Sequence, residues 1–240
     1  MTENGADVSD DKTGAAPDLT VVVPVYNERA TVMQVLERVM AVGVSKEIIV
    51  VDNCSTDGTR ELLASLNGAA RVILQPQNLG KGTSIRHAIH QARGEYLIIQ
   101  DADLEYEPEQ YPRLLAYARE HGLDALYGSR VLTGRNTNYL RYYAGVQGLT
   151  WMTNALYGAR LSDVATACKL FRTSVLKQLN LRSAGFDLDF ELTNKICRGG
   201  WKIDEVPIPY HPRTFDEGKK IRSVDGLRAV YVILRDRFID

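Results

Sequence analysis

Three acidic residues at alternate positions, Asp101, Asp103 and Glu105, stand directly after a run of apolar residues and are the strongest candidates for chemistry. Carboxylates this close together repel one another unless a positive charge lies among them. A hard divalent cation, held by one or two carboxylates and by substrate phosphates, supplies such a charge. An acidic loop in solvent is the commoner origin of this spacing, but the position after a strand-like run favours a metal site.

Polar residues also follow two earlier apolar runs, at residues 26–28 and 52–59. In the second group, Ser55 and Asp57 suit the N-terminus of a helix, because their side-chain oxygens accept hydrogen bonds from free helix N–H groups. Asp52 has no such role at the tip of a buried strand. A carboxylate in that place suits hydrogen bonds to a nucleobase or a ribose, so these residues predict a nucleotide pocket beside the acids.

Basic residues gather in two places later in the chain: Arg130, Arg135 and Arg141 in one, and Arg213, Lys219, Lys220 and Arg222 in the other. Groups of this kind are usually solvated surface. Beside a metal–diphosphate site, the later group could instead clamp phosphates and stabilise the charge on a leaving group, with Gly218 allowing it to close as a lid. The earlier group could hold an anionic acceptor.

A regular alternation of strand-like and helix-like segments must position these groups. The strand-like runs of the first half cover residues 19–25, 47–51, 71–75, 95–100 and 124–128. Their nearly continuous apolar character is typical of parallel strands that are covered on both faces, and apolar residues at helical spacing lie between them. This order predicts an open, doubly wound α/β sheet that binds ligands at the carboxyl ends of its strands.

The second half is less regular. Residues 163–171 and 202–208 are predicted as further strands, and residues 189–198 as a helix. Residues 224–238 are predicted as a closing amphipathic helix, one face of which carries Leu227, Val230, Tyr231, Leu234 and Phe238. Residues 1–18 contain five acidic residues and one lysine without apolar periodicity, so we expect a disordered tail before a single domain of residues 19–240.

The composition narrows the class of protein. The 240 residues include 29 basic and 30 acidic ones, which argues against a generally basic nucleic-acid-binding protein. Three cysteines without metal-ligand spacing fit a reducing compartment, and no leader-like segment is recognisable, so a cytoplasmic location is expected. The longest uncharged stretch, residues 142–159, is too polar and too short to predict a transmembrane helix. Peripheral contact with the inner face of the membrane is one expectation for it, and a buried helix is the commoner alternative.

Several short motifs occur in order along the chain: residues 21–28 (VVVPVYNE), 52–59 (DNCSTDGT), 78–82 (NLGKG), 101–105 (DADLE), 128–130 (GSR), 166–172 (TACKLFR), 205–210 (EVPIPY) and 217–221 (EGKKI). Together they resemble family 2 glycosyltransferases of the GT-A fold, and in particular the dolichyl- and polyprenyl-phosphate mannose or glucose synthases. The resemblance spans residues 19–235. It implies a Rossmann-like, mostly parallel sheet flanked by helices, with an irregular second half on the acceptor side.

The resemblance also implies roles for the matching residues. The pocket for a GDP- or UDP-linked sugar would be lined by Pro24, Tyr26, Glu28, Asp52 and Ala102. Asp101 and Asp103 would hold Mg²⁺ or Mn²⁺ on the donor diphosphate, with Glu105 in the place of a third ligand. Arg213 and Lys219 would contact the donor phosphates, and Arg130 the acceptor phosphate. The two aspartates and the two arginines are therefore the catalytic candidates.

The predicted reaction is a metal-dependent, inverting transfer of a hexose of mannose or glucose type from a nucleotide-diphosphate sugar to a polyprenyl phosphate. Such an acceptor is already ionised at neutral pH and needs no general base. The alternative is the same donor chemistry onto a hydroxyl of a glycan or small metabolite, with Asp187, Asp189 or Glu191 as the base. A helix N-terminus alone also explains these three acids.

Two other classes fit less well. A nucleotidyltransferase is disfavoured because no glycine-rich basic loop follows the first strand. A non-catalytic binding module would be expected to have lost some of the acids at the strand ends, and all of them are present.

Overall fold

The computed structural model describes residues 16–66, 68–132, 140–213 and 223–239. Seven strands form one sheet within these residues, in the order β3-β2-β1-β4-β6-β5-β7. They are β1 (Leu19–Val25), β2 (Lys46–Asp52), β3 (Arg71–Leu74), β4 (Tyr96–Ile99), β5 (Ala125–Ser129), β6 (Lys169–Arg172) and β7 (Ile203–Pro207). Of these seven strands, β6 alone is antiparallel to its neighbours. The predicted open, mostly parallel α/β sheet is confirmed.

Helices cover both faces of this sheet. In the described residues they are α1 (Val32–Ala41), α2 (Thr59–Ala64), α3 (Lys81–Gln91), α4 (Tyr111–Glu120), α5 (Leu140–Tyr157), α6 (Thr173–Leu176), α7 (Leu188–Arg198) and α8 (Ser223–Phe238). One apolar cluster joins α1, α2 and α4 to the sheet. A second cluster joins α3, α6, α7 and α8 to the opposite face.

The valine-rich β1 shows how the sequence produces two buried faces. Val21 and Val23 belong to the first cluster, whereas Val22 belongs to the second, because successive side chains of a strand point to opposite faces. β1 also pairs in parallel with β2 along its whole length, ending with Val25 opposite Asp52. The polar residues that follow these two strands therefore reach the same edge of the sheet.

The second half departs from prediction at residues 163–171, where strand pairing begins only at Lys169. The preceding residues form a loop that side chains hold in place. Thr166 Oγ1 donates to the Gly128 carbonyl at 2.7 Å, and the Asp163 carboxylate accepts from Arg130. These polar contacts replace the ladder of a longer strand. The predicted strand at residues 202–208 and the helices at 189–198 and 224–238 agree with β7, α7 and α8 to within one residue at each end.

Most of the exposed large apolar side chains in the described residues lie on two helices. Most of residues 142–159 lie in α5, which buries Thr150 and Thr153 but leaves Trp151 exposed. On α8, Val232 and Ile233 are buried. The opposite side carries an exposed apolar row, here named the α8 stripe, that consists of Val224, Leu227, Tyr231, Leu234 and Phe238. Throughout the described ranges, each helix is too short or too polar to cross a membrane.

Candidate active site

A cleft of about 660 Å³ opens at the carboxyl ends of β1, β2 and β4, the edge at which ligands are expected. The predicted site residues that line it are Pro24, Tyr26, Glu28, Asp101, Ala102, Asp103, Glu105, Arg130 and Arg213. Side chains without a predicted role also line it, among them Asn53, Lys81, Phe186 and Tyr210. Lys219, the lid around Gly218 and the basic residues Arg135, Lys220 and Arg222 lie outside the described residues.

The backbone turns sharply where the strands meet the cleft. Asn27, Cys54 and Leu104 follow β1, β2 and β4, with φ of 51°, 65° and 62°. Residues other than glycine seldom adopt this left-handed conformation. Two side-chain contacts hold Asn27, since its N–H donates to Ser55 Oγ at 2.9 Å and its Oδ1 accepts from the Thr56 N–H at 2.8 Å. Unusual backbone that the surroundings hold in place is typical of functional sites.

Asp103 and Arg213 form the centre of the acidic group. An Arg213 guanidinium nitrogen lies 2.9 Å from Asp103 Oδ2, and the other terminal nitrogen lies 3.1 Å from Glu28 Oε2. Burial, together with repulsion from Asp101 and Glu105, raises the pKa of Asp103 to about 7, although Arg213 opposes the rise. The acids thus carry more negative charge than the single guanidinium offsets.

The other aspartate of the pair, Asp101, is bound by Lys81, which begins α3. The Lys81 ammonium lies 2.6 Å from Asp101 Oδ1. Burial lowers the pKa of Lys81, but Asp101, Asp189 and Asp103 outweigh it and the pKa lies above its ordinary value. The backbone around Lys81 is tightly seated, because Gly80 has φ of +87° and a Cβ there would lie 2.2 Å from the Ala184 carbonyl oxygen.

The carboxylates of Asp101 and Asp103 suit Mg²⁺ or Mn²⁺, because hard divalent cations prefer oxygen ligands. A second observation fits a ligand here, since Arg213 Nε is buried and lacks a hydrogen-bond partner in the described structure. Glu105 is engaged differently: its two oxygens accept from the Tyr210 hydroxyl and the Arg213 N–H, both at 2.9 Å. No set of three or more histidine, cysteine or acidic side chains is gathered as metal ligands in the described residues.

Asp52, predicted to face the nucleotide, lies behind the cleft wall rather than on it. Its carboxylate is fully buried and lies 2.6 Å from Arg60 Nε. Asn53, the next residue, lines the cleft instead and accepts a hydrogen bond from the Leu79 N–H at 2.7 Å. Asp52 therefore positions the loop after β2 in this structure, and direct contact with a nucleotide stays a prediction.

Arg130, predicted to contact the acceptor phosphate, lines the cleft and is firmly held. Its guanidinium makes two contacts of 2.7 Å with the buried carboxylate of Asp163. Its carbon atom lies 5.1 Å from the centre of the Tyr210 ring. Burial opposes the positive charge, but Tyr106 and Asp163 outweigh it and raise the pKa of Arg130 well above its ordinary value. Arg130 is thus a fixed positive charge in the cleft wall.

The three alternative bases differ in position. The buried Glu191 accepts hydrogen bonds from the Arg182 and Ser183 N–H groups, so it joins α7 to the segment that precedes it. Asp187 accepts from the Gly185 N–H. Asp189 lines the cleft, where its carboxylate lies 3.1 Å from the Lys169 ammonium. Of the three, Asp189 is the one placed to meet a substrate in the cleft.

Comparisons with known proteins identify the family to which this fold and cleft belong. A family model described as glycosyl transferase family 2 matches residues 20–179. The chain is 33% identical over 226 residues to the low-salt glycan biosynthesis hexosyltransferase Agl6 of Haloferax volcanii, an alignment that covers 91% of this chain and 54% of the relative. The protein belongs to glycosyl transferase family 2, so the family resemblance seen in the motifs is confirmed.

The name of a further relative contains a lipid phosphate and a sugar acid. The dodecaprenyl-phosphate galacturonate synthase of Rhizobium johnstonii is 31% identical over 176 residues, which cover 68% of this chain and 50% of the relative. The chain spans about half the length of these two relatives. Among solved structures, glucosyl-3-phosphoglycerate synthase of Mycobacterium tuberculosis, in complex with Mn²⁺, UDP and glucosyl-3-phosphoglycerate, has a TM-score of 0.72. It is 19% identical, with 93% of this chain and 81% of that chain covered, and it supports the GT-A fold.

Proposed function

We propose that this protein is a metal-dependent inverting glycosyltransferase that moves a hexose from a nucleotide-diphosphate sugar to a polyprenyl phosphate. The observation that carries the proposal is one cleft lined by Asp101, Asp103, Arg213 and Arg130, in which Arg213 contacts Asp103. A metal held by acids and fixed cations beside the phosphates would both stabilise the charge of a departing diphosphate. The names of the curated relatives support the sugar transfer and the lipid phosphate acceptor.

Each charged group has a distinct task in this proposal. Asp101 and Asp103 would hold Mg²⁺ or Mn²⁺, which when bound supplies positive charge for the leaving diphosphate. Arg213 donates hydrogen bonds to the donor phosphates, with its buried Nε satisfied on binding. Arg130 holds the acceptor phosphate, whose oxygen attacks the anomeric carbon from the face opposite the diphosphate. The acceptor is ionised, so no proton has to be removed.

The α8 stripe supports a lipid acceptor and peripheral contact with a membrane surface. Leu227 and Phe238 are each 71% exposed, and Trp151 on the adjacent α5 is 73% exposed. Arg228 and Arg237 are also exposed on α8. Exposed apolar residues flanked by basic ones are the features by which amphipathic helices bind anionic lipid surfaces. In the proposal, this face brings the cleft to its membrane-bound acceptor.

A hydroxyl acceptor is the second candidate, and the position of Asp189 favours it. Its carboxylate lines the cleft beside Asp101 and Lys81. A base in that place would accept the proton of an attacking hydroxyl group. The pairing with Lys169 keeps Asp189 in a defined orientation.

The two candidates separate in one experiment. Radiolabelled GDP- and UDP-sugars are offered with Mn²⁺ to a polyprenyl phosphate in detergent and, separately, to soluble oligosaccharides. We expect label in the lipid fraction and its loss in excess EDTA. Among variants that thermal melts show to be folded under the assay conditions, label should decrease strongly with Arg130→Ala but not with Asp189→Asn. Label confined to the soluble glycans, with Asp189→Asn inactive, would replace the lipid acceptor by the hydroxyl one.

A further inference from the structure

We propose that Lys81 is a positioning residue that competes with the divalent cation for Asp101. When donor and metal bind together, the Lys81 side chain moves and its ammonium group contacts the donor phosphates. The 2.6 Å contact between the Lys81 ammonium and Asp101 Oδ1 carries the inference. The inference rests on the proposed donor chemistry and deepens it, because it makes metal binding and donor binding depend on one another through a named side chain.

Each aspartate of the predicted metal pair already contacts a cationic side chain of the protein. Lys81 pairs with Asp101, and Arg213 pairs with Asp103 at 2.9 Å. A divalent cation that enters alone must therefore displace positive charge from its own ligands. That displacement weakens its binding, since the released cation stays within the same cleft and repels it.

A donor diphosphate changes this balance. Lys81 lines the cleft together with Asp101 and Asp103, so a diphosphate bound there offers the ammonium new anionic oxygens. The side chain is suited to the transfer because a lysine carries its charge on a flexible four-carbon stem. Its side chain packs over the Phe186 ring, with the ammonium 5.6 Å from the ring centre.

The local backbone keeps Lys81 in place while its ammonium moves. A Cβ at Gly80 would lie 2.2 Å from the Ala184 carbonyl oxygen, and one at Gly82 would lie 2.6 Å from the Ser183 carbonyl oxygen. These close approaches fix the start of α3 against residues 183–185. The Cα of Lys81 is thus anchored beside the cleft, and the movement is confined to the side chain.

Removal of the Lys81 ammonium group should strengthen the binding of Mn²⁺ alone and weaken the binding of nucleotide. In Lys81→Met, Mn²⁺ should bind the nucleotide-free protein about 10-fold more tightly, while UDP or GDP should bind about 10-fold more weakly in the presence of Mn²⁺. Lys81→Arg should keep the weak binding of Mn²⁺ alone. A residue with a merely structural role would weaken both equilibria or leave both unchanged.

The experiment measures Mn²⁺ binding by electron paramagnetic resonance, with and without UDP or GDP, and nucleotide binding by calorimetry. Lys202→Met, at an exposed lysine that does not line the cleft, is the matched control and should behave as wild type. Thermal melts confirm that each variant is folded. Unchanged or weaker Mn²⁺ binding by nucleotide-free Lys81→Met overturns the inference, as does an absence of Mn²⁺ binding in every variant. Sugar transfer is assayed separately. An absence of sugar transfer would reject the proposed function, whereas the Mn²⁺-binding measurements alone test the role of Lys81.

Discussion

The two halves of the sheet use charge differently. In the first half, acids follow β1 and β4 and face the cleft, as Glu28, Asp101 and Asp103 do. In the second half, acids such as Asp163 and Glu191 are fully buried and paired with arginines. The cleft acids of the first half are therefore available to a ligand, whereas the buried acids of the second half tie chain segments together. Substitution of the cleft acids should reduce activity, and loss of the arginine partners of the buried acids should reduce stability.

The largest expected effect tests the first half of this comparison. Asp103→Ala should lower transfer by at least about 10³-fold, because it removes a proposed metal ligand and a partner of Arg213. The fold should persist, since Asp103 lies in a cleft rather than in the apolar core. Transfer assays and thermal melts measure the two properties. Glu107→Ala removes a nearby acid that does not line the cleft and should keep most of the activity. Full activity of Asp103→Ala would contradict the metal site.

The second prediction concerns the buried pair of the second half. Arg130→Met should destabilise the protein by about 3–5 kcal/mol, because it leaves the carboxylate of Asp163 buried without its cation. The double variant Arg130→Met with Asp163→Asn should recover part of this loss. Urea unfolding of the wild type, the two single variants and the double variant measures the coupling. A loss below about 1 kcal/mol in Arg130→Met would show that Asp163 is not dependent on this pair.

The same comparison explains which parts of the fold the sequence alone predicts correctly. The alternation of apolar runs placed β1 to β5 and the acids after β4, because these features depend on local periodicity. The loop before β6 was wrongly predicted as a strand, since its conformation depends on distant partners such as the Gly128 carbonyl, 38 residues away from Thr166 along the chain.

Individual site residues divide in the same way. The roles of Asp101 and Asp103 were suggested by their spacing, and the structure places both in one cleft. The sequence alone predicts no role for Lys81, although the residue lies in the motif at residues 78–82. Only the folded chain brings its ammonium group to Asp101. The position of Asp52 at a strand end predicts contact with a nucleotide, whereas its pairing with Arg60 is visible only in the folded chain.

The third prediction uses the raised pKa of Asp103, which is about 7 in the folded protein. An unfolded aspartate has a pKa of about 3.9, so the folded state holds its proton more tightly. The resulting stabilisation is present below about pH 4 and is lost as the pH rises to about 7. In EDTA at pH 8, Asp103→Asn should therefore be more stable than wild type by about 1–3 kcal/mol.

Urea unfolding between pH 5 and 8 provides the measurement. The difference between Asp103→Asn and wild type should grow with pH across this range. Glu37→Ala, at an exposed acid of α1 that does not line the cleft, should show no such trend. A difference that is constant with pH would mean that Asp103 is not held near neutrality by its neighbours, and would weaken the view that the acids in the first half are kept available for a cation.

The fourth prediction concerns the α8 stripe. It lies in the second half of the chain, but a substitution in it should have the smallest effect on stability. Leu227→Glu replaces a side chain that is 71% exposed, so the free energy of unfolding should change by no more than about 0.5 kcal/mol. Binding to anionic vesicles should nevertheless fall several-fold, because the substitution places a negative charge on the apolar row beside exposed arginines. Leu74→Glu, at an exposed leucine of β3, is the control and should sediment with vesicles as wild type does. Equal sedimentation of Leu227→Glu and wild type would remove α8 from the membrane proposal.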